Sequence, residues 1–243
     1  MSEEKTTKRD AGNWAKPVDR LEASHVPDGA LNTVGGKQAL SPIQGFGKMW
    51  QKTYWISLAG SEATPQEVVA VWKAEFPSFW PKGNTFYAPL TGIEPGEVAL
   101  IQGAIGGGLK LSTGVFVLYA DDESFTFMTP QGHVFAGWVT FSAFEQDGAT
   151  VAQAQVLMRA QDPITEMGLT LVGHRKENDL WRGTLTALAT RFDVEAEPKM
   201  RIVCIDKRRQ WKRAGNVRHN AGFRSSVHSI TAPLKRKSAD ADG

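Results

Sequence analysis

One long amphipathic stretch, Asp162 to Glu195, constrains this chain more than any other feature. Asp162 offers a side-chain acceptor, and Pro163 takes the first helical position, where its missing N–H costs nothing. Glu166 falls in the first turn and can answer further free N–H groups. Met167, Leu171, His174, Asn178, Trp181, Leu185, Leu188 and Phe192 then recur at alternating spacings of four and three, which puts them on one side of a helix. Arg175, Lys176, Glu177, Asp179, Arg182 and Arg191 are assigned to the solvent side. A face this rich in large apolar groups needs an equally apolar surface, and the segments before it are the candidates. Gly168, Gly173 and Gly183 each weaken a helix by roughly 1 kcal/mol against alanine. Two of them come early, so a bend or a loosened first half is expected.

The earlier segments read mostly as strands. Met49–Leu58 is aromatic and branched. Thr64, Pro65 and Glu67 form a capping box that starts a helix, Pro77 stops it, and Phe79-Trp80-Pro81 follows as a short second helix. Six further strand candidates are Thr85–Ala88, Val98–Ala104, Leu109–Tyr119, Ser124–Thr129, His133–Phe144 and Thr150–Arg159. Pro130-Gln131-Gly132 and Asp147-Gly148 are hairpin signals, because glycine supplies the positive φ that such turns need. Short connections favour an antiparallel meander. The expected architecture is α+β: a curved seven-stranded antiparallel sheet wrapped around a long C-terminal helix, in the order β-α-α-β-β-β-β-β-β-α.

With 243 residues and 41% hydrophobic content, the chain can bury one good core. The expected division is a flexible arm (1–45), a ligand-binding domain (46–198) and a basic tail (199–243). The net charge of +2 conceals this segregation: residues 199–237 carry twelve Lys/Arg and one acid, Asp206. No apolar run reaches the length of a membrane span, and MSEEKTTKRD has no apolar signal core, so a cytoplasmic location is expected. Cys204 is alone and the five histidines are scattered, so neither a metal site nor a disulfide is expected. Gly106-Gly107-Gly108 runs into a strand and reads as a turn rather than a phosphate loop, and no cofactor is expected.

Several stretches resemble the SRPBCC superfamily, which includes START lipid-transfer domains, the birch-pollen allergen with plant pathogenesis-related proteins, and polyketide cyclases. They are Thr64-Pro65-Gln66-Glu67-Val68 with Trp72, Phe76-Pro77 with Phe79-Trp80-Pro81, and Phe125-Thr126-Phe127 through Gly132-His133, Gly137 and Val139-Thr140-Phe141. Asp162–Val194 resembles the closing helix, and Trp181-Arg182-Gly183-Thr184-Leu185 is similar to bacterial members of unknown function. The resemblance spans about residues 48–195. It implies a helix-grip fold with a cavity for a hydrophobic small molecule or lipid. Carried over by position, the wall would come from Met167, Leu171, His174, Asn178 and Trp181 on the helix, and from Phe116, Leu118, Phe127, Phe135 and Trp138 on the strands. No catalytic motif transfers.

His174 and Asn178 can be read as polar anchors at the end of that cavity, or as an ordinary hydrogen-bonded pair at its rim. His133, beside a turn, is read as structural. An enzymatic alternative, a cyclase, dehydratase or hydrolase, would use His174 as acid or base and Asn178 to position the substrate. Met200–Ile205 is a further strand or a docked extended stretch. Lys207, Arg208, Arg209, Trp211, Lys212 and Arg213 fit an anionic partner, either membrane phospholipid or nucleic acid, against the plain alternative of a solvated tail. In a third reading that tail makes the protein an adapter and the domain is scaffold.

Overall fold

A computed structural model of the chain describes residues 11–106 and 109–220, except the side chains at 104–106, 109–110 and 171–172. Nine strands pair antiparallel: β1 (Ala39–Leu40), β2 (Met49–Ser57), β3 (Thr85–Tyr87), β4 (Val98–Gly106), β5 (Leu109–Ala120), β6 (Ser124–Pro130), β7 (Phe135–Gln146), β8 (Ala149–Ala160) and β9 (Lys199–Asp206). Their order across the sheet is β3-β4-β5-β6-β7-β8-β2-β9, with β1 pairing the end of β6. The strands from β3 to β8 follow the meander that short connections favour, and β2 returns beside β8. Helix α1 (Pro65–Glu75) lies against β7. The long helix opens as α2 (Pro163–Gly168), passes through a π-helical turn (Leu169–Gly173) and continues as α3 (His174–Arg191), which lies against β2 and β8. This is the α+β helix-grip arrangement, with nine strands in place of the expected seven. Among the described residues no helix is long and apolar enough to cross a membrane.

The caps are those written in the sequence. Thr64 and Glu67 exchange capping-box bonds at α1, and Asp162 accepts from the N–H groups of Ile164 and Thr165 at α2. The expected loosening of the long helix takes the form of the π turn. Such a turn holds one residue more than an α turn, so the inward face upstream shifts back by one position. Glu166 and Leu169 are buried, and Met167, placed inward by spacing alone, is 63% exposed. Gly173 closes the turn because a Cβ there would come within 2.6 Å of Leu169 Cδ2.

The arm runs against expectation. Residues 14–34 lie across the outer face of β4 and β5, and the chain then reaches β6 through β1, and β7 and β8 through residues 42–44. Leu21 and Val34 are buried there against Val98, Leu100 and Phe116, with Leu118 and Met128 at the margin. Ala15 N–H donates to Leu118 O at 2.9 Å, and the Thr33 hydroxyl donates to Ser112 O at 2.8 Å. Gly114 leaves the room this needs: a Cβ would stand 2.8 Å from Val34 Cγ2. The physical reason is that β4 and β5 carry apolar groups on both faces, so both faces need cover. Phe116 and Leu118 therefore line no interior cavity. Trp138 pairs with Met128 and Leu157 on the same outer side, alternating with inward Val139, and is corrected likewise.

The basic segment is also bound into the body. β9 pairs with β2, so the sheet extends past the expected boundary at residue 198. Buried Arg159 holds both the entry and the exit of the chain: its guanidinium donates to Gly47 O, to Arg208 O at 2.8 Å and to the Asp206 carboxylate at 2.6 Å. Hydrogen bonds from the Arg208 backbone and side chain, with Arg159, hold the Asp206 carboxyl well below the usual range. Asn216 donates to Gln44 O and Gln161 O, and Asn220 to Asp162, so the segment is anchored as far as residue 220.

If the arm is part of the folded body, Leu21→Ala should lower stability by about 2–4 kcal/mol, as for other buried leucines. Urea denaturation measures this, and a free arm would show no change.

Candidate functional site

The inner face of the sheet meets the helices in one aromatic core. Phe76 lies within ring contact of Phe86, Phe125, Phe127 and Phe141, at centroid separations of 4.8 to 5.7 Å. Trp72 is edge-on to Phe141 at 5.1 Å, and Trp181 reaches Phe141 at 5.5 Å. Of the expected wall, Phe127 and Trp181 are members of this core and Phe135 packs at its margin. Interlocked rings fill this end of the space between sheet and helix. The Leu171 side chain lies outside the described residues.

The other end is polar. On β2 the inward positions are Trp50, Lys52, Tyr54 and Ile56. A lysine in that row faces the helix instead of solvent, and its side chain is 0% exposed. Across from it, Glu177 stands one and two turns before Trp181 and Leu185, on the core side of α3. Lys52 Nζ donates to Glu177 Oε2 at 2.6 Å and to Asn178 Oδ1 at 3.2 Å, and the Tyr54 hydroxyl donates to the same Asn178 oxygen at 2.7 Å. The His174 ring sits edge-on to Trp50 at 5.0 Å. The structure thus brings together His174, Asn178 and Trp181, and adds Lys52, Tyr54 and Glu177. Glu177 corrects the sequence assignment to solvent: its charge masked a position that the helical period places inward. An inward-phased lysine on β2 and an inward-phased glutamate on α3 were the legible signal.

Burial pushes the Glu177 carboxyl up against the pull of the Lys52 ammonium. The Trp181 indole also favours the charged form but is not in hydrogen-bond geometry. Burial, with Glu177 nearby, raises the Tyr54 phenol. Burial, then the charges of Lys52 and Lys48, lowers His174 to about 4, so the ring is neutral at pH 7. Three buried atoms on successive turns of this helix face have no hydrogen-bond partner: His174 Nδ1, Glu177 Oε1 and Trp181 Nε1. These three atoms lie along one face of α3, the face that carries the buried ion pair.

His133 is structural. It is buried, it accepts the Phe135 N–H on Nδ1 at 3.0 Å, and burial lowers its pKa to about 4. Among the described residues, no cluster of three His, Cys, Asp or Glu side chains could hold a metal ion. In the basic segment Arg208 pairs with Asp206 at 3.0 Å and Arg209 with Glu166 at 3.2 Å. Arg213 has its Nε buried. Lys207, Trp211 and Lys212 remain exposed. The segment is thus docked on the body, while the Arg208 and Arg209 side chains keep much of their exposure.

No protein-family model matches the chain, and no curated protein shows significant similarity to it. Solved structures share its outline. Protein Ms6760 from Mycobacterium smegmatis is 14% identical, over 59% of this chain and 90% of that one, at a TM-score of 0.43. Major latex-like protein 151 from Panax ginseng is 10% identical, over 60% and 99%, at 0.42. The di-domain ARO/CYC StfQ of the steffimycin biosynthetic pathway is 12% identical, over 60% of this chain and 50% of that one, at 0.45. Likenesses this distant carry no argument about this chain. Its helix-grip architecture rests on its own strand order and closing helix.

Two outcomes test this description of the site. Lys52→Met should cost about 3–5 kcal/mol by leaving Glu177 buried and unpaired, and adding Glu177→Leu should recover most of that loss in urea denaturation. An exposed, dispensable pair would show neither effect. His133 and His174 stay neutral in the folded protein down to about pH 4, whereas the unfolded chain takes up these protons below about 6.5. Stability should therefore fall as pH drops from 6.5 to 4, and His174→Gln should flatten part of that slope.

Proposed function

We propose that the protein binds a small, mostly apolar, uncharged molecule bearing a hydroxyl group, between β2 and the first half of α3, without turning it over. The observation that carries this reading is the set of unpartnered buried atoms on His174, Glu177 and Trp181. Such atoms are rare in folded proteins, and each costs about 1–3 kcal/mol while unsatisfied. A hydroxyl both donates and accepts. It can take the Trp181 N–H and give its own proton to Glu177 Oε1 or His174 Nδ1. A carboxylate ligand would meet the Glu177 charge and is disfavoured. The apolar remainder would lie toward Trp50 and the aromatic core. A role for His174 as a general acid near neutral pH does not suit a ring held neutral to about pH 4.

A second reading concerns an anionic bilayer surface as partner. Trp211, 72% exposed, and Met167 flank an open recess of about 350 Å³, with Lys207 and Lys212 nearby in sequence. Surface cations of this kind contribute roughly 1 kcal/mol each at an anionic membrane. The same cations would serve nucleic acid, but an exposed indole beside a recess lined by Phe46 and Met167 suits a bilayer interface better.

Titration of the intrinsic tryptophan fluorescence with 1-naphthol and with naphthalene tests the main reading. The hydroxylated compound should bind about tenfold more tightly, the worth of one net hydrogen bond, and His174→Leu should narrow that preference. Equal affinities, or no binding of either compound, would contradict it.

A further inference from the structure

The outer face of the sheet holds a second recess, of about 510 Å³, on the side of β7, β8, β2 and β9 opposite the polar cluster. Its floor is built from cross-strand rows. Trp55 lies opposite Gln153, Thr53 lies between Gln155 and Arg201, and Gln51 lies opposite Val203. Phe144, 37% exposed, stands at one end. These positions alternate with inward Lys52, Tyr54 and Ile56, so the recess shares no side chain with the site described above.

Its chemistry is unusual for a solvated sheet face. Among its described lining residues Arg201 alone is ionisable, with Lys199 beside it opposite Trp55, where water-facing strands ordinarily carry several lysines and glutamates. In their place stand primary amides, each offering two donors and an acceptor in one plane. The Gln51 and Gln153 amides take part in no hydrogen bond among the described residues, and Gln155 reaches only Thr53, at 3.5 Å. A flat indole and a phenyl ring complete the lining.

Adjacent donors and acceptors match the vicinal hydroxyls of a sugar, and an aromatic face matches the flat C–H surface of a pyranose ring. A single arginine adds a forked donor for a further hydroxyl pair without demanding an anion. A phosphate-bearing polymer would need more cations than the Arg201 and Lys199 of this face. The concave floor favours a small or narrow ligand over a broad protein surface.

We infer that this recess is a binding site for a neutral oligosaccharide, with Trp55 and Phe144 stacking on sugar rings and Gln51, Gln153 and Gln155 reading hydroxyls. It is independent of the interior site. The test is an NMR titration of the full chain with maltotriose, cellotriose and triacetylchitotriose, each to about 10 mM, which covers the weak range of single small-ligand sites. At least one should bind, with amide shifts confined to β2, β7, β8 and β9. Gln153→Ala with Gln155→Ala, and separately Phe144→Ala, should each weaken binding at least about tenfold while the dispersed spectrum of the folded protein persists. No binding of any of the three, shifts elsewhere on the molecule, or affinities unchanged in both variants would overturn the inference. Naphthol binding at the interior site, read in the same variants, should be unchanged.

Discussion

Within the apolar contact of closing helix and sheet, one buried charge pair among the described residues joins the two, Lys52 with Glu177, set among Tyr54, Asn178 and Trp181. Two charges taken from water gain little net stability over a well-packed apolar pair, but breaking one partner away is expensive. What such a pair supplies is direction. It allows one rotation and one height of α3 against β2, because any other leaves a buried charge alone. The π turn upstream is compatible with that setting: it absorbs a one-residue slip between the phase of α2 and the phase that the ion pair imposes on α3.

Around this fixed point the sheet serves as a shared wall. Its inner face carries the aromatic core at one end and the polar cluster at the other. Its outer face is covered by the arm over β4 and β5 and is open, uncharged and amide-rich over β7, β8 and β2. Arg159 fastens the open part at its edge, since its guanidinium bonds the chain both where it enters β2 and where it leaves β9. Among the described residues, aromatic rings fill one end of the interior, and the unpartnered atoms of His174, Glu177 and Trp181 lie toward the other.

Much of this was legible in the residues. Caps, proline stops and two-fold alternation located α1, the closing helix and β2 to β8, because each rests on local chemistry. What failed depended on partners distant in sequence. Leu21 and Val34 are isolated apolar groups without a period, so nothing local marked the arm as docked. Phe116 and Leu118 lie in a strand apolar on both faces, where alternation cannot tell inside from outside. Glu177 was read by its charge, although its spacing from Trp181 and Leu185 already placed it inward. Only Lys52 across the sheet makes that burial tolerable, and a sequence does not show which lysine will lie opposite.

The central claim is that unpartnered atoms at the buried pair mark a ligand site. Native mass spectrometry of the purified protein, before and after denaturation, tests it most directly. The account predicts an added mass of one small, uncharged, hydroxyl-bearing molecule, or its uptake when such compounds are offered, lost on denaturation and reduced in His174→Leu. A single unliganded mass under every offered compound would contradict it and would leave the polar cluster as a structural clamp between helix and sheet.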